Sequence, residues 1–406
     1  MKSPHASDDA REDMHDIACE VAPVRTRSDR SAFIGFPHVL HRQEPLWVPP
    51  LRGDQRRLMD RRAHPFYEFG EAEFFLARRD GRVVGRVAAV HNPNHNRFHG
   101  SKDGFFGLFD CVDDQSAADA LFTAAASWLR ARQLVTLIGP VVLSTNYECG
   151  LLTEGFDLRP AVEMPYNPPY YDRLIRDCGF TTATEMLAWE LPTTVHEDRK
   201  LTRLLRPGSE RGIRIRPLDM RNYTAETDLI KEIYNSAWEG NWGFSPMTDR
   251  EFDALARQLR PILRPGLGAV AEVDGKPAGF VLAVPDLAPA LAAANGRLHT
   301  WGVPLGLMRL LRARRRVDRL RVMVLGVREE YRNRGIELRL GMELSRNAQR
   351  LGYPVMEASW MLADNRRANR TMRLAGARVI KKYRICQRPV EPLGAKIPGR
   401  RGDGRT

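Results

Sequence analysis

Residues 328–335 read REEYRNRG and set Arg332, Arg334 and Gly335 directly ahead of an apolar-striped run that begins at Ile336. A helix starting there leaves its first backbone N–H groups without intrahelical partners and adds the positive end of its dipole, so the turn can bind a phosphate through backbone alone. The two arginines would add charge-assisted contacts. Glu337, in the first turn, either sets a carboxylate beside that phosphate or tilts away toward the helix dipole. The stretch LRVMVLGV before the turn reads as a β-branched strand, and Ile336, Leu340, Leu344, Ala348 and Leu351 after it share one helical face. Strand, basic turn and helix follow in the order such a site needs.

Other stretches hold groups for proton transfer or for an apolar ligand. Glu148 lies in TNYECG, a sharp polar turn with Asn146 and Tyr147 before it and Gly150 after it. It either caps local N–H groups or serves as a proton acceptor. NSAWEGNWGF at 235–244 gathers Trp238, Glu239, Asn241 and Trp242. Those residues are core packing, or they form an aromatic wall for an apolar chain whose polar head Glu239 or Asn241 orients. Tyr170, in PPYY, allows the same two readings. His91, His95 and His99 recur at a spacing of four, but their segment HNPNHNRFHG is rich in turn formers, so a loop without metal is expected.

The elements that must position these residues come in two copies. DGRVVGRVAAV from Asp80 and DGKPAGFVLAV from Asp274 match in Asp, Gly, a basic residue, a second Gly, Val, Ala and Val. Each is the second half of a hairpin with an Asp-Gly turn. The CGF at 178–180 answers the AGA at 375–377 at nearly the same offset, so the chain reads as two repeats of one α/β unit. In the first repeat AADALFTAAASWLRAR is an amphipathic helix, LVTLIGPVVL a strand, and MPYNPPYYDRLIRDCGF a short helix ending at Gly179. A short helix from Asn365 and a final strand close the second. The expected divisions are a disordered tail over 1–30, units over 31–192 and 213–390, a polar linker over 193–212 and a disordered basic tail over 391–406.

Composition narrows the class. The 406 residues are 43% apolar, with 63 Lys plus Arg against 50 Asp plus Glu and a formal charge of +13. Such a chain folds around a substantial core and suits a polyanionic partner: a phosphorylated cofactor, anionic lipid or nucleic acid. Nucleic acid is disfavoured, because no helix-turn-helix or RNP pattern appears. The five cysteines are scattered and form no CxxC pair, which fits a reducing cytoplasm and no structural zinc. No apolar run is long enough for a membrane span. Residues 301–321 insert Trp301, Leu305, Leu307, Met308, Leu310 and Leu311 ahead of and among seven arginines over 309–321. This is either a packed helix with a solvated basic face or a segment for an anionic membrane surface.

From about 265 to 385 the chain resembles a GNAT acyltransferase domain, in which an RxxGxG/A turn binds the pyrophosphate of acyl-CoA. The matching positions are Arg332, Gly335 and Glu337, the last departing from the small residue of the pattern. A later Asn, Ala, Tyr, Gly pattern falls on Asn365, Ala368, Met372 and Gly376, with Met372 in place of the tyrosine that often protonates the leaving thiolate. Almost the whole chain, through PLWVPPL, HNRFHG, GFFGLFDC, NYECGLLTEGFD, MPYNPPYY, AWEGNWGF, LGVREEYRNRGIE and WMLADNRRANR, is similar to a bacterial family of tandem GNAT-like proteins that resembles the bacterial ceramide synthase.

The resemblance implies an α/β fold of mixed sheets, two GNAT-like units forming a pseudo-dimer within a monomer, the C-terminal one retaining the acyl-CoA turn. It implies acyl-CoA as acyl donor and a long-chain amine as acceptor, with no metal. The backbone around Leu325 and Val327 would hold the thioester carbonyl, and Asn365 and Asn369 would lie on the cofactor side. Glu357, on the following strand, and Glu148, facing the cofactor from the first unit, both remain candidate bases. Asn146, Tyr147, Tyr170, Trp238, Asn241 and Trp242 would line the acceptor site. Two other functions use the same scaffold: acetylation of a small amine or protein lysine, and binding of acyl-CoA without catalysis.

Overall fold

The computed structural model describes residues 19–205, 208, 210–299 and 302–391. The expectations for 1–18, Trp301 and 392–406 lie outside them. The first half runs β1 (Glu20–Pro23), α1 (Arg27–Leu40), α2 (Arg52–Leu58), β2 (Glu71–Arg79), β3 (Arg82–His91), α3 (Pro93–His99), β4 (Asp103–Cys111), α4 (Gln115–Arg130), β5 (Thr136–Gly139), β6 (Leu151–Glu154), α5 (Tyr170–Asp177) and β7 (Thr181–Pro192). The second runs β8 (Ile213–Pro217), α6 (Tyr223–Ala237), α7 (Asp249–Leu259), β9 (Gly268–Val273), β10 (Lys276–Pro285), α8 (Ala288–Ala294), α9 (Leu305–Arg314), β11 (Arg319–Val327), α10 (Ile336–Arg350), β12 (Val355–Leu362), α11 (Arg366–Leu374) and β13 (Arg378–Pro389).

The two copies share their backbone details. Asp80 and Gly81 have φ of +50° and +72°, Asp274 and Gly275 +50° and +79°. Two successive positive φ values are what a two-residue I′ hairpin needs, and Asp-Gly supplies them at least cost. Both β4–β5 and β11–β12 are parallel pairs, spanned by α4 and α10, while the neighbouring strands pair antiparallel.

All the strands form one sheet in the order β1-β2-β3-β4-β5-β13-β7-β12-β11-β10-β9-β8, with β6 also paired to β13. Each half therefore gives its last strand to the other. β13 lies against β5 and β6, β7 lies against β12, and the two exchanged strands pair with each other from Arg378↔Glu190 to Gln387↔Thr181. The cores follow the exchange: Tyr383 and Ile385 of β13 are buried with Phe33, Phe74 and Leu152, and Trp189 of β7 with Leu340 and Met356.

Several expectations are corrected. Ordered structure begins before residue 31: β1 pairs with β2, and Thr26 and Asp29 form a capping box that starts α1. HNPNHNRFHG is not a loop, because Asn92 accepts from the His95 N–H and Pro93 takes the first helical position of α3. His91 stays on β3, so the three histidines do not share a helical face. The segment from residue 193 is not free linker: Thr193, Val195 and Leu201 are buried in short helical turns. Among the described residues no helix is long and apolar enough to cross a membrane.

Candidate active site

Strands β11 and β12 pair only from Arg319↔Val355 to Val322↔Ala358. Beyond Val322 they diverge, and Trp360 on β12 takes a left-handed φ of +56°, a conformation rare for a bulky residue, where the register with β7 shifts. β11 stays paired to β10 as far as Val327, so its other edge over 323–327 faces an open gap and its outward amides lack a strand partner. A cleft of about 950 Å³ passes through this gap, and Leu325, Gly326, Val327, Ser359 and Trp360 border it. The corresponding gap in the first half is filled by the chain itself: the Val141 amide donates to the Phe106 carbonyl at 2.7 Å, and a Cβ on Gly107 would fall 2.4 Å from the Val141 oxygen.

The helices that follow the two gaps differ in the same sense. α4 begins at Asp114, whose carboxylate accepts from the Ala117 amide and occupies the positive helix end. α10 begins at Gly335, with φ of +74° and no side-chain cap, so its first N–H groups are left for a ligand. Gly335, Arg332 and Arg367 border the cleft at this end. Arg332 donates to the Ala237 carbonyl at 2.9 Å and so fastens the turn to the end of α6. Arg334 points to the Arg211 carbonyl and Ile336 is sealed in the core, so neither lines the cleft. The uncapped helix start, the glycine and two flanking guanidinium groups fit the pyrophosphate of acyl-CoA. Glu337 also borders the cleft and makes no hydrogen bond or ion pair with a described residue, and its carboxylate opposes an anion there.

The first half reaches the same cleft through the loop after β5. Thr145 Oγ1 donates to the Gly243 carbonyl at 2.6 Å and Asn146 Nδ2 to the Ser245 carbonyl at 2.9 Å. Tyr234 of α6 donates to Asn146 Oδ1 at 2.8 Å, and Tyr147 to Glu251 Oε1 at 3.2 Å. Those bonds place Glu148 on the cleft wall. Its side chain is open to the cleft yet surrounded by protein, and this desolvation, reinforced by Asp110 and Glu163, pushes its carboxyl up to about 7 against the pull of Arg86 and Arg321. A carboxylate with that affinity exchanges a proton near neutral pH.

No protein-family model matches the chain. The bacterial ceramide synthase of Caulobacter vibrioides is 34% identical over 91% of this chain and 97% of its own length. The chain belongs to that tandem GNAT-like family. A second member, Protein YghO of Escherichia coli, is 32% identical over 90% of this chain and 95% of its own. Among solved structures, a tandem GNAT protein from the clavulanic acid biosynthesis pathway superposes with a TM-score of 0.53 at 14% identity, covering 92% of this chain and 99% of that one. A GCN5-related N-acetyltransferase from Sphaerobacter thermophilus gives 0.50 at 15%, over 92% and 96%. These likenesses bear out the tandem GNAT fold, and with the family relationship they make the chain an N-acyltransferase.

Within that family frame the remaining expected residues divide. Trp238, Asn241 and Trp242 border the cleft, as do Asn146, Tyr147 and Asn365, the last capping α11 by accepting from the Ala368 amide. Glu357 does not. Met356 and Ala358 on either side of it line the cleft, whereas Glu357 is 2% exposed, accepts from Ser359 at 3.0 Å and sits in a buried charge cluster with Lys381 and Arg319. Glu239 is exposed on a turn outside the cleft. Asn369 is buried, accepting from Trp189 Nε1 at 3.0 Å and donating to the Leu362 and Ala363 carbonyls. Tyr170 donates to the Cys111 carbonyl at 2.8 Å in the first half's core.

Four charged residues that the sequence did not place at a site border the cleft: Glu163, Glu226, Arg321 and Arg367. Arg367 alone carried a signal, standing two residues past Asn365 in the GNAT pattern. Arg321 is 1% exposed, lies 5.2 Å above the Trp360 ring and has no ion pair among the described residues.

Proposed function

We propose that this acyltransferase moves a fatty acyl group from acyl-CoA to the amine of a long-chain base, the reaction named for its Caulobacter relative. The observation that carries this reading is the apolar arm of the cleft. From the gap beside Gly326 it extends between α6 and α7, walled by Tyr223, Ile230, Phe252, Leu255, Leu259 and Leu263. An acetyl group or a lysine side chain would leave most of this surface wet, whereas a long hydrocarbon gains ~0.8 kcal/mol for each methylene it buries there.

In this scheme the N-terminus of α10, with Arg332 and Arg367, holds the pyrophosphate, and an outward amide of β11 near Leu325 or Val327 donates to the thioester oxygen as negative charge develops. The acceptor nitrogen attacks the thioester carbon. Glu148 takes the proton that the nitrogen must lose, the C–S bond breaks, and the thiolate leaves. Met372 cannot supply a proton to that sulfur, so the proton arrives from Glu148 through water or from solvent.

Purified protein, a long-chain acyl-CoA and a long-chain amine should yield the amide, detected by mass spectrometry. Deletion in the producing cell should deplete the corresponding amide from extracted lipids. Absence of amide product together with unchanged lipids would rule the reading out, and product only with acetyl-CoA and small amines would replace it.

A further inference from the structure

We infer that α9 and the arginines around it form a docking face for an anionic lipid bilayer. The helix is held by its small side: Gly306 is buried against the Arg297 carbonyl, where a Cβ would fall 1.7 Å from the oxygen. Its opposite side is apolar and uncovered. Leu305, Met308 and Leu311 recur every third residue and are 44%, 61% and 48% exposed, and Val303 just before the helix is 48% exposed. Arg309 and Arg312 stand among them, with Arg315 and Arg316 at the helix end, all four exposed. None of their guanidinium groups has an ion pair or hydrogen bond to another described residue.

The basic character continues onto the first half. The Arg52 amide of α2 donates to the Gly296 carbonyl at 3.0 Å, and partial burial, followed by the nearby positive charges of Arg297 and Arg56, weakens the Arg52 cation's hold on its proton. Four uncompensated arginines suit any polyanion. The four bare apolar side chains gain free energy only where hydrocarbon receives them, which a phosphate backbone does not offer. A leaflet rich in acidic headgroups satisfies both at once.

The helix before α9 packs behind the apolar arm. Leu287 and Leu291, of the helix that precedes α9, pack in one cluster with Ile262, Leu263 and Met323, and Leu263 and Met323 line the arm. A docked molecule would thus hold the arm's far end near the membrane. That last point rests on the proposed long-chain substrate; the docking itself does not.

Co-sedimentation of the full chain with phosphatidylcholine vesicles, with and without phosphatidylglycerol, tests the inference. Binding is expected only with phosphatidylglycerol. The double variant Arg309→Glu/Arg312→Glu should lower it by about a hundredfold, and Met308→Glu/Leu311→Glu by at least tenfold. All four positions are exposed, and circular dichroism melts of the variants should match the parent. Unaltered sedimentation of either double variant would overturn the inference, as would duplex DNA binding that is stronger than vesicle binding and insensitive to Met308→Glu/Leu311→Glu. The measurement needs no turnover, so a negative acylation assay leaves it decisive, and failed docking with intact acylation overturns docking alone.

Discussion

Trp238 lies against the backbone of Gly326 so closely that a Cβ on the glycine would come within 2.1 Å of the indole Cη2. The indole is stacked on Tyr234, ring centroids 4.9 Å apart, and Tyr234 in turn bonds Asn146. One chain of contacts thus links the strand that would hold the thioester to the loop that carries Glu148. A methyl group at 326 must push the indole out or bend β11, and a misplacement of about 1 Å at a reacting centre costs on the order of a hundredfold in rate. Gly326→Ala should therefore lower kcat/KM about a hundredfold while far-ultraviolet circular dichroism stays unchanged. Retained activity would show that the strand and its aromatic wall do not border the reaction.

Glu148 should set the pH dependence. Only its ionised form accepts a proton, so kcat/KM should climb as pH rises through about 7. Glu148→Gln should lose roughly a hundredfold or more and flatten that limb. Stability should respond in the opposite direction. The native carboxyl keeps its proton up to about 7 while the unfolded chain releases it near 4.5, so the native state binds the extra proton in between and stability falls as pH rises across that window. The glutamine variant, lacking this titration, should gain melting temperature relative to the parent from pH 5 to pH 8. Parallel melting curves with an unchanged rate profile would remove Glu148 from the reaction.

Glu337 stands in the first turn of α10, where its carboxylate interacts well with the helix dipole but repels a bound phosphate. Replacing it with alanine should lower the KM for acyl-CoA several-fold with little change in kcat, the pattern of altered ground-state binding. The effect should shrink at high salt as the charges are screened. A raised KM would mean that the carboxylate contributes to holding the donor.

How much of this the sequence carried can be traced residue by residue. Duplication was legible because Asp-Gly hairpins leave a local signature at Asp80 and Asp274 that needs no tertiary partner. The uncapped helix start at Gly335 was legible because strand, glycine and helix adjoin in the chain. Glu357 read as a cleft residue because a strand's alternation gives two faces without saying which is the inner one. Asn369 and Tyr170 bear groups as suited to a ligand as to a backbone carbonyl, and only packing selects the carbonyl. Arg321 gave no local signal, since its importance comes from the gap that opens one residue pair beyond it.

The strand exchange lay beyond reading for another reason. β7 and β13 are the same element of two copies, so their patterns fit either sheet equally well. Its consequence is mechanical coupling of the halves. Ile385 belongs to the second half by sequence but is fully buried in the first half's core, and Leu187, Trp189 and Leu191 are placed reciprocally. Truncating Ile385 to alanine should cost about 2–5 kcal/mol, and the loss should appear in both halves because neither core closes without the other's strand. Denaturant unfolding followed by tryptophan fluorescence and by circular dichroism should give one coincident transition for parent and variant, displaced together. In hydrogen exchange the amides of β7 and β13 should open only with the whole molecule. Two separable transitions, with the second half's protection unaffected by Ile385→Ala, would show that each half folds on its own and that the exchanged strands merely touch.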